Sequence, residues 1–145
     1  MTELIVERVA EHEFEGRNGR GATVRIGRSG MAGSFSPGEL LQIATAGCGA
    51  VTVEELVTRR GPDAALVATV EHERAPGGHD YQRLMVTLHA DLSFLDDDKR
   101  ERVMRALRRA VQRECTVSRT LERGAPVDLA ITPELPDRRG RAGVA

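Results

Sequence analysis

The chain has 145 residues, 40% of them apolar and 30% charged, with three Phe, one Tyr and no Trp, which is the size of one domain with an aliphatic core. The net charge of −1, from 21 basic and 22 acidic residues, excludes a global field for nucleic acid or for an anionic membrane surface. No run approaches the length of a membrane span, and Met1-Thr2-Glu3-Leu4 lacks the basic-then-apolar order of a signal peptide, so a cytoplasmic location is expected.

Residues 3–14 read as a first strand, with Leu4, Val6 and Val9 as its apolar positions. Residues 15–21 form a turn around Asn18-Gly19, a strong hairpin signal between extended runs, and residues 22–26 form the returning strand. A Gly- and Ser-rich loop covers 27–36. It ends at Pro37, which suits a first helical turn with Ser36 as N-cap.

Residues 38–60 carry Leu40, Leu41, Ile43, Ala44, Ala46, Cys48, Ala50, Val51 and Val53 with almost no polar face. A helix apolar all round is a buried one. A long central helix is therefore expected, with its N-terminal half inside the protein and Gly61-Pro62 as its stop. Residues 65–74 and 82–92 alternate as two further strands. Asp96-Asp97-Asp98 suit a helix start, and Val103, Met104, Leu107, Ala110 and Val111 form a stripe at helical spacing. Extended, that stripe reaches Cys115, Ser118 and Leu121 before Gly124 and Pro126. Residues 127–132 read as a last strand and 133–145 as a loose tail. With no repeat and no linker, residues 1–132 form one α+β domain.

Two cysteines in a cytosolic chain are buried small hydrophobes, metal ligands or reactive thiols. A cysteine inside an apolar helix is more often inert than catalytic. Cys48 lies too far from its helix N-terminus to use the dipole, so it would need a nearby cation to ionise. Cys115 has the same bland reading on its own stripe. Spacing does not bring the two together, since 66 residues intervene.

Three motifs change that balance. The run Ser36-Pro37-Gly38-Glu39-Leu40-Leu41 through Ala46-Gly47-Cys48 resembles the opening of the central helix in the OsmC/Ohr family. Cys115-Thr116-Val117-Ser118-Arg119-Thr120-Leu121 resembles the family's second cysteine motif. Gly16-Arg17-Asn18-Gly19 resembles the Gly-Arg-Asp-Gly turn of its Ohr branch. All three fall in family order, and the likeness covers roughly residues 14–132. The resemblance implies an OsmC-like two-layer α+β fold, with antiparallel sheet packed on a long buried central helix and two copies intertwined as a homodimer.

It also implies a thiol peroxidase. Cys48 would attack an organic hydroperoxide, and Cys115 would resolve the sulfenic acid to a disulfide. An external dithiol reductant, such as a lipoylated protein, would reopen it. Arg17 and Glu39 match the arginine and glutamate that hold the reactive thiol as thiolate, with Arg17 preferred over Arg20 and Arg25; no cofactor is implied. The chain departs from the pattern at three places. Gly38 stands where the Ohr branch has its glutamate, Gly49 follows Cys48 where bulkier residues are common, and Thr116 replaces the proline after the second cysteine. The competing reading is a redox-silent OsmC-like protein that binds a small apolar ligand at the dimer interface.

Other candidates are weaker. His12, His72, His79 and His89 lack ligand spacing and read as surface residues, so no metal is expected. The basic run of Lys99, Arg100, Arg102, Arg105, Arg108, Arg109 and Arg113 reads as a solvated helix face; without stacking aromatics it does not suggest nucleic acid. Ser118 has no evident base partner, so a serine nucleophile is not expected.

Overall fold

The structure, a computed structural model, describes residues 4–136. It opens with a three-stranded antiparallel sheet in the order β1 (Ile5–Ala10), β2 (Glu13–Arg17), β3 (Thr23–Gly27). The single strand expected over 3–14 is therefore a hairpin, and its residue Glu3 lies outside the described range. The chain reverses at Glu11-His12, where His12 adopts φ 60°. Two polar residues with one in the left-handed region form a tight turn that the charge-broken alternation of Val6 and Val9 conceals. The Asn18-Gly19 turn joins β2 to β3, with the Asn18 side chain accepting hydrogen bonds from the amides of Arg20 and Ala22.

The helix α1 spans Pro37–Thr58 and begins as its sequence requires. Ser36 is the N-cap and accepts from the Glu39 amide, and Pro37 occupies the first turn, where its missing N–H costs nothing. The hairpin β4 (Leu66–Arg74) and β5 (Tyr81–Ala90) packs on α1. Next come α2 (Asp97–Glu114), capped by Asp96, and α3 (Thr116–Arg123), closed by Gly124 in the left-handed conformation. Residues 127–132 form no strand. They are exposed, with Val127, Leu129 and Ile131 all more than four-fifths accessible. The described chain offers this segment no strand partner, so its alternation has nothing to pair with. Of the tail expected over 133–145, residues 137–145 lie outside the described range.

The core corrects the expectation for α1. It gathers Val53 and Val57 from the C-terminal half of the helix with Leu92, Val103 and Leu107. In the N-terminal half the buried stripe is Gln42, Thr45, Ala46 and Gly49, while Ile43 is 46% and Val51 75% exposed. Buried Thr45 is satisfied by donating to the Leu41 carbonyl at 2.7 Å. One apolar face of α1 is thus uncovered within a single copy. Another expectation is also corrected: α1, with 22 residues and a mean hydropathy of 1.3 over its most apolar window, is long and apolar enough to cross a membrane. Its packing against β4, β5, α2 and α3, and the polar pair Gln42 and Thr45 on its inner stripe, mark it as a core helix. The three-stranded sheet has no comparable packing against any helix among the described residues, and Leu4, Val6, Val9 and Phe14 on it stay exposed.

Candidate redox site

Cys48 sits midway along α1, half-buried, and its carbonyl accepts from the Thr52 hydroxyl at 2.7 Å. Cys115 is fully buried at the break between α2 and α3. The stripe expected to run on as one helix ends at Glu114, because Cys115 leaves the helical region at φ −67°, ψ 100°. The break forms with Thr116 in place of proline. It is held by the Arg119 guanidinium, which donates to the Arg113 carbonyl at the end of α2, and by the Arg119 amide, which donates to the Cys115 carbonyl at 3.0 Å. Without such partners the last carbonyls of α2 would go unsatisfied.

The break brings Cys115 beside α1, and Cys48 is among the groups that act on its thiol. Both thiols are free. Burial pushes the Cys115 thiol up, but the Ser118 hydroxyl and amide, Cys48 and the Val117 amide together outweigh it, leaving the thiol below its ordinary range. Ser118, which the sequence marked only as lacking a base, has its Oγ 3.2 Å from Cys115 Sγ. Gly49 and Ser118, near the two cysteines in the chain, line a cleft of about 350 Å³ with Leu88, Met104, Leu107, Arg108 and Gln112; neither cysteine is part of its lining. Gly49 belongs to that wall; a Cβ there would meet Leu88 at 3.5 Å, an ordinary contact.

Arg17 and Glu39 do not meet. Arg17 donates from Nη1 to Glu7 at 2.6 Å, and that bond is the first cause of its raised pKa. The register explains the pairing. Arg17 stands opposite Ile5, so Glu7 is its diagonal neighbour on the same face. Glu39 is exposed in the first turn of α1, with its amide on Ser36. Arg25 pairs with Glu13 at 3.4 Å, and the Arg20 amide bonds Asn18. Among the described residues, none of these arginines bonds either cysteine within one copy.

A second polar cluster went unread in the sequence. Gln42 donates to the Gly38 carbonyl and to the Tyr81 hydroxyl, each at 3.2 Å, and its carbonyl accepts from His72 Nδ1 at 2.9 Å. His72 is exposed, as expected, and makes this bond from the surface of β4. The rings of His72 and Tyr81 lie 4.6 Å apart, and the Arg74 guanidinium sits 5.4 Å from the Tyr81 centroid. The only available signal was a lone Gln in an apolar helix run. No three His, Cys, Asp or Glu side chains converge as a metal site among the described residues.

Fold and cysteine pair together define a class: small α+β proteins with two facing thiols, one on a central helix and one at a helix break. A family model described as OsmC-like protein matches residues 30–130, and the chain belongs to the OsmC-like family. An uncharacterized protein of Mycobacterium tuberculosis is 39% identical over 132 residues, covering 90% of this chain and 96% of its own length. Two solved structures share the fold. An OsmC like protein from Mycoplasma pneumoniae superposes with a TM-score of 0.58 at 12% identity, covering 84% of this chain and 87% of that one. The organic hydroperoxide resistance protein OhrB of Bacillus subtilis superposes with a TM-score of 0.51 at 15% identity, covering 83% and 90%.

Proposed function

We propose that the protein is a thiol peroxidase that reduces organic hydroperoxides to alcohols through a Cys48–Cys115 disulfide cycle. The observation that carries this reading is the meeting of the chain's two cysteines, remote in sequence, as free thiols. Cys48 is the half-exposed member, so it is the one a peroxide reaches. Attack by its thiolate on the distal peroxide oxygen releases the alcohol and leaves a sulfenic acid, which Cys115 closes to a disulfide with loss of water. The apolar part of the nearby cleft, from Val86, Leu88, Met104, Leu107 and Val111, suits the alkyl group of an organic peroxide better than hydrogen peroxide, with Arg108 and Gln112 also in its lining. An external dithiol, such as a lipoylated protein, reopens the disulfide, in keeping with a reducing cytoplasm.

The active form is a homodimer. Three uncovered surfaces support it: the Ile43 and Val51 face of α1, the apolar positions of the three-stranded sheet, and the exposed 127–132 segment. Each needs cover that one copy does not provide. In an intertwined pair, the sheet of one copy lies over α1 of the other and carries Arg17, already oriented by Glu7, toward Cys48. Arg17 then supplies the cation that a half-buried thiol requires to ionise. Glu39, at the exposed start of the same helix, is its second carboxylate.

The test is thiol oxidation by an organic hydroperoxide. The native chain forms the disulfide rapidly, Cys48→Ser does not react, and Cys115→Ser stops at a trappable sulfenic acid. Arg17→Ala slows oxidation by about tenfold, the equivalent of about 1.5 kcal/mol for one hydrogen bond to a charged group. Unreacted thiols after excess hydroperoxide would instead support a redox-silent protein that holds a small apolar ligand in the same cleft, which its lining also suits.

A further inference from the structure

Ser118 stands on the first turn of α3 and borders the clefts on both sides of it. Its hydroxyl lies 3.2 Å from the sulfur of Cys115, the N-cap residue of that helix. The Val117 and Ser118 amides also act on that sulfur. In the reduced protein the Cys115 thiol donates to the Ser118 hydroxyl; once ionised the sulfur can only accept, and the same hydroxyl turns to donate to it. The surrounding break is fixed at both ends, with the Cys115 amide on the Val111 carbonyl and the Arg119 amide on the Cys115 carbonyl, each at 3.0 Å. The sulfur therefore has little freedom to turn elsewhere.

We infer that Ser118 is the positioning residue of the second thiol: its hydroxyl, with the first amides of α3, holds the Cys115 sulfur as the thiolate that closes the disulfide and receives it again when the disulfide is reopened. The inference rests on the peroxidase cycle proposed above. In the closing step the Cys115 thiolate donates its electron pair to the Cys48 sulfur. The S–S bond forms, the S–O bond of the sulfenic acid breaks, and the departing hydroxide takes a proton to leave as water. In the opening step the external dithiol attacks Cys48, since Cys115 is wholly enclosed. The S–S electron pair then returns to Cys115, and a less basic thiolate leaves faster. Ser118 touches neither peroxide nor reductant and acts through Cys115 alone.

The groups acting on the Cys115 sulfur are the Ser118 hydroxyl and amide, the Val117 amide and Cys48, with burial opposing them. No charged side chain is among them. The device is built from hydrogen bonds, so it resists screening by salt.

The test begins with thiolate ultraviolet absorbance against pH in the reduced Cys48→Ser protein, where Cys115 is the sole thiol. Its midpoint falls below the ordinary thiol range, Ser118→Ala moves it up, and Ser118→Thr, which keeps the hydroxyl, restores it. Circular dichroism and the thermal midpoint stay matched throughout. With both cysteines present, a pulse of organic hydroperoxide produces the Cys48 sulfenic acid at the native rate in Ser118→Ala. Closure then slows by about threefold, because roughly tenfold fewer thiolates are offset by about threefold greater intrinsic nucleophilicity. Identical titrations in native and Ser118→Ala proteins overturn this role alone. A shifted titration in a chain that never forms the disulfide overturns the peroxidase reading and this role together.

Discussion

Gly38 offers a sharp test of how the start of α1 is built. An added Cβ there would fall 2.1 Å from the Tyr81 hydroxyl and 3.0 Å from its Cζ, so Gly38→Ala must drive the end of the ring away. The cost is that of the contacts the ring leaves. The hydrogen bond with buried Gln42 contributes about 1 kcal/mol. The Arg74 guanidinium over the ring adds about 0.5 kcal/mol at this exposed site, and the His72 ring contact adds about 0.5 kcal/mol more. Against that loss of roughly 2 kcal/mol, alanine regains up to about 1 kcal/mol of helix propensity over glycine. The expected result is a net destabilisation of about 1 kcal/mol. In a Tyr81→Leu background, where the hydroxyl and Cζ are gone, the same substitution becomes stabilising, so the cycle yields a coupling of about 2 kcal/mol. Urea denaturation of the four proteins, followed by circular dichroism, measures it. Tyr81 is the only tyrosine and the chain has no tryptophan, so intrinsic fluorescence separately reports displacement of the ring. Equal effects of Gly38→Ala in both backgrounds would refute the steric reasoning. The result bears on function too, because this position carries glutamate in the Ohr branch. While Tyr81 keeps its place, no side chain fits there.

Two further predictions follow from the same physical arguments. If the 127–132 segment is covered by a second copy, Leu129→Asp with Ile131→Asp converts the dimer to monomer in sedimentation, whereas Val127 alone tolerates Thr; an unchanged dimer would remove the segment from the interface. Asp96, the N-cap of α2, has its carboxyl held below the usual value of 3.8, chiefly by the Lys99 amide. A depressed folded pKa gives stability that is complete above that value and lost as pH falls through the folded one. Asp96→Asn should therefore flatten the acid limb of the stability profile below about pH 4 and leave the neutral region little changed, as read by thermal midpoint against pH.

The sequence made the local structure of this protein legible wherever a single chemical signal governs it. Ser36-Pro37 placed the start of α1, and the alternation in β4 and β5 placed that hairpin within a residue or two. The two cysteine motifs pointed to a pair that spacing alone could not connect. The failures share a cause, which is that they depend on neighbours remote in sequence. Glu7 went unread as the partner of Arg17 within one copy, a pairing made by the β1–β2 register rather than by either residue. Gln42 looked like an interruption in an apolar run until β4 and β5 brought His72 and Tyr81 to it. The apolar run of α1, Ile43 and Val51 included, was read as a demand for burial, and residues 127–132 as a last strand that does not form. The N-terminal half of α1 was assigned to the interior, where a single copy leaves Ile43 and Val51 exposed. Cys115 was placed on a continuous stripe because its break comes from backbone geometry and the Arg119 bonds, neither of which helical periodicity records.

The central claim is that Cys48 and Cys115 exchange electrons with an organic hydroperoxide. Its most direct test is the peptide mass of the fully reduced protein after one equivalent of such a peroxide, digested without reductant. The expected product is one cross-linked species joining the Cys48 and Cys115 peptides, lighter by two hydrogens than their sum. Recovery of the two peptides separately, each with an alkylatable thiol, would contradict it.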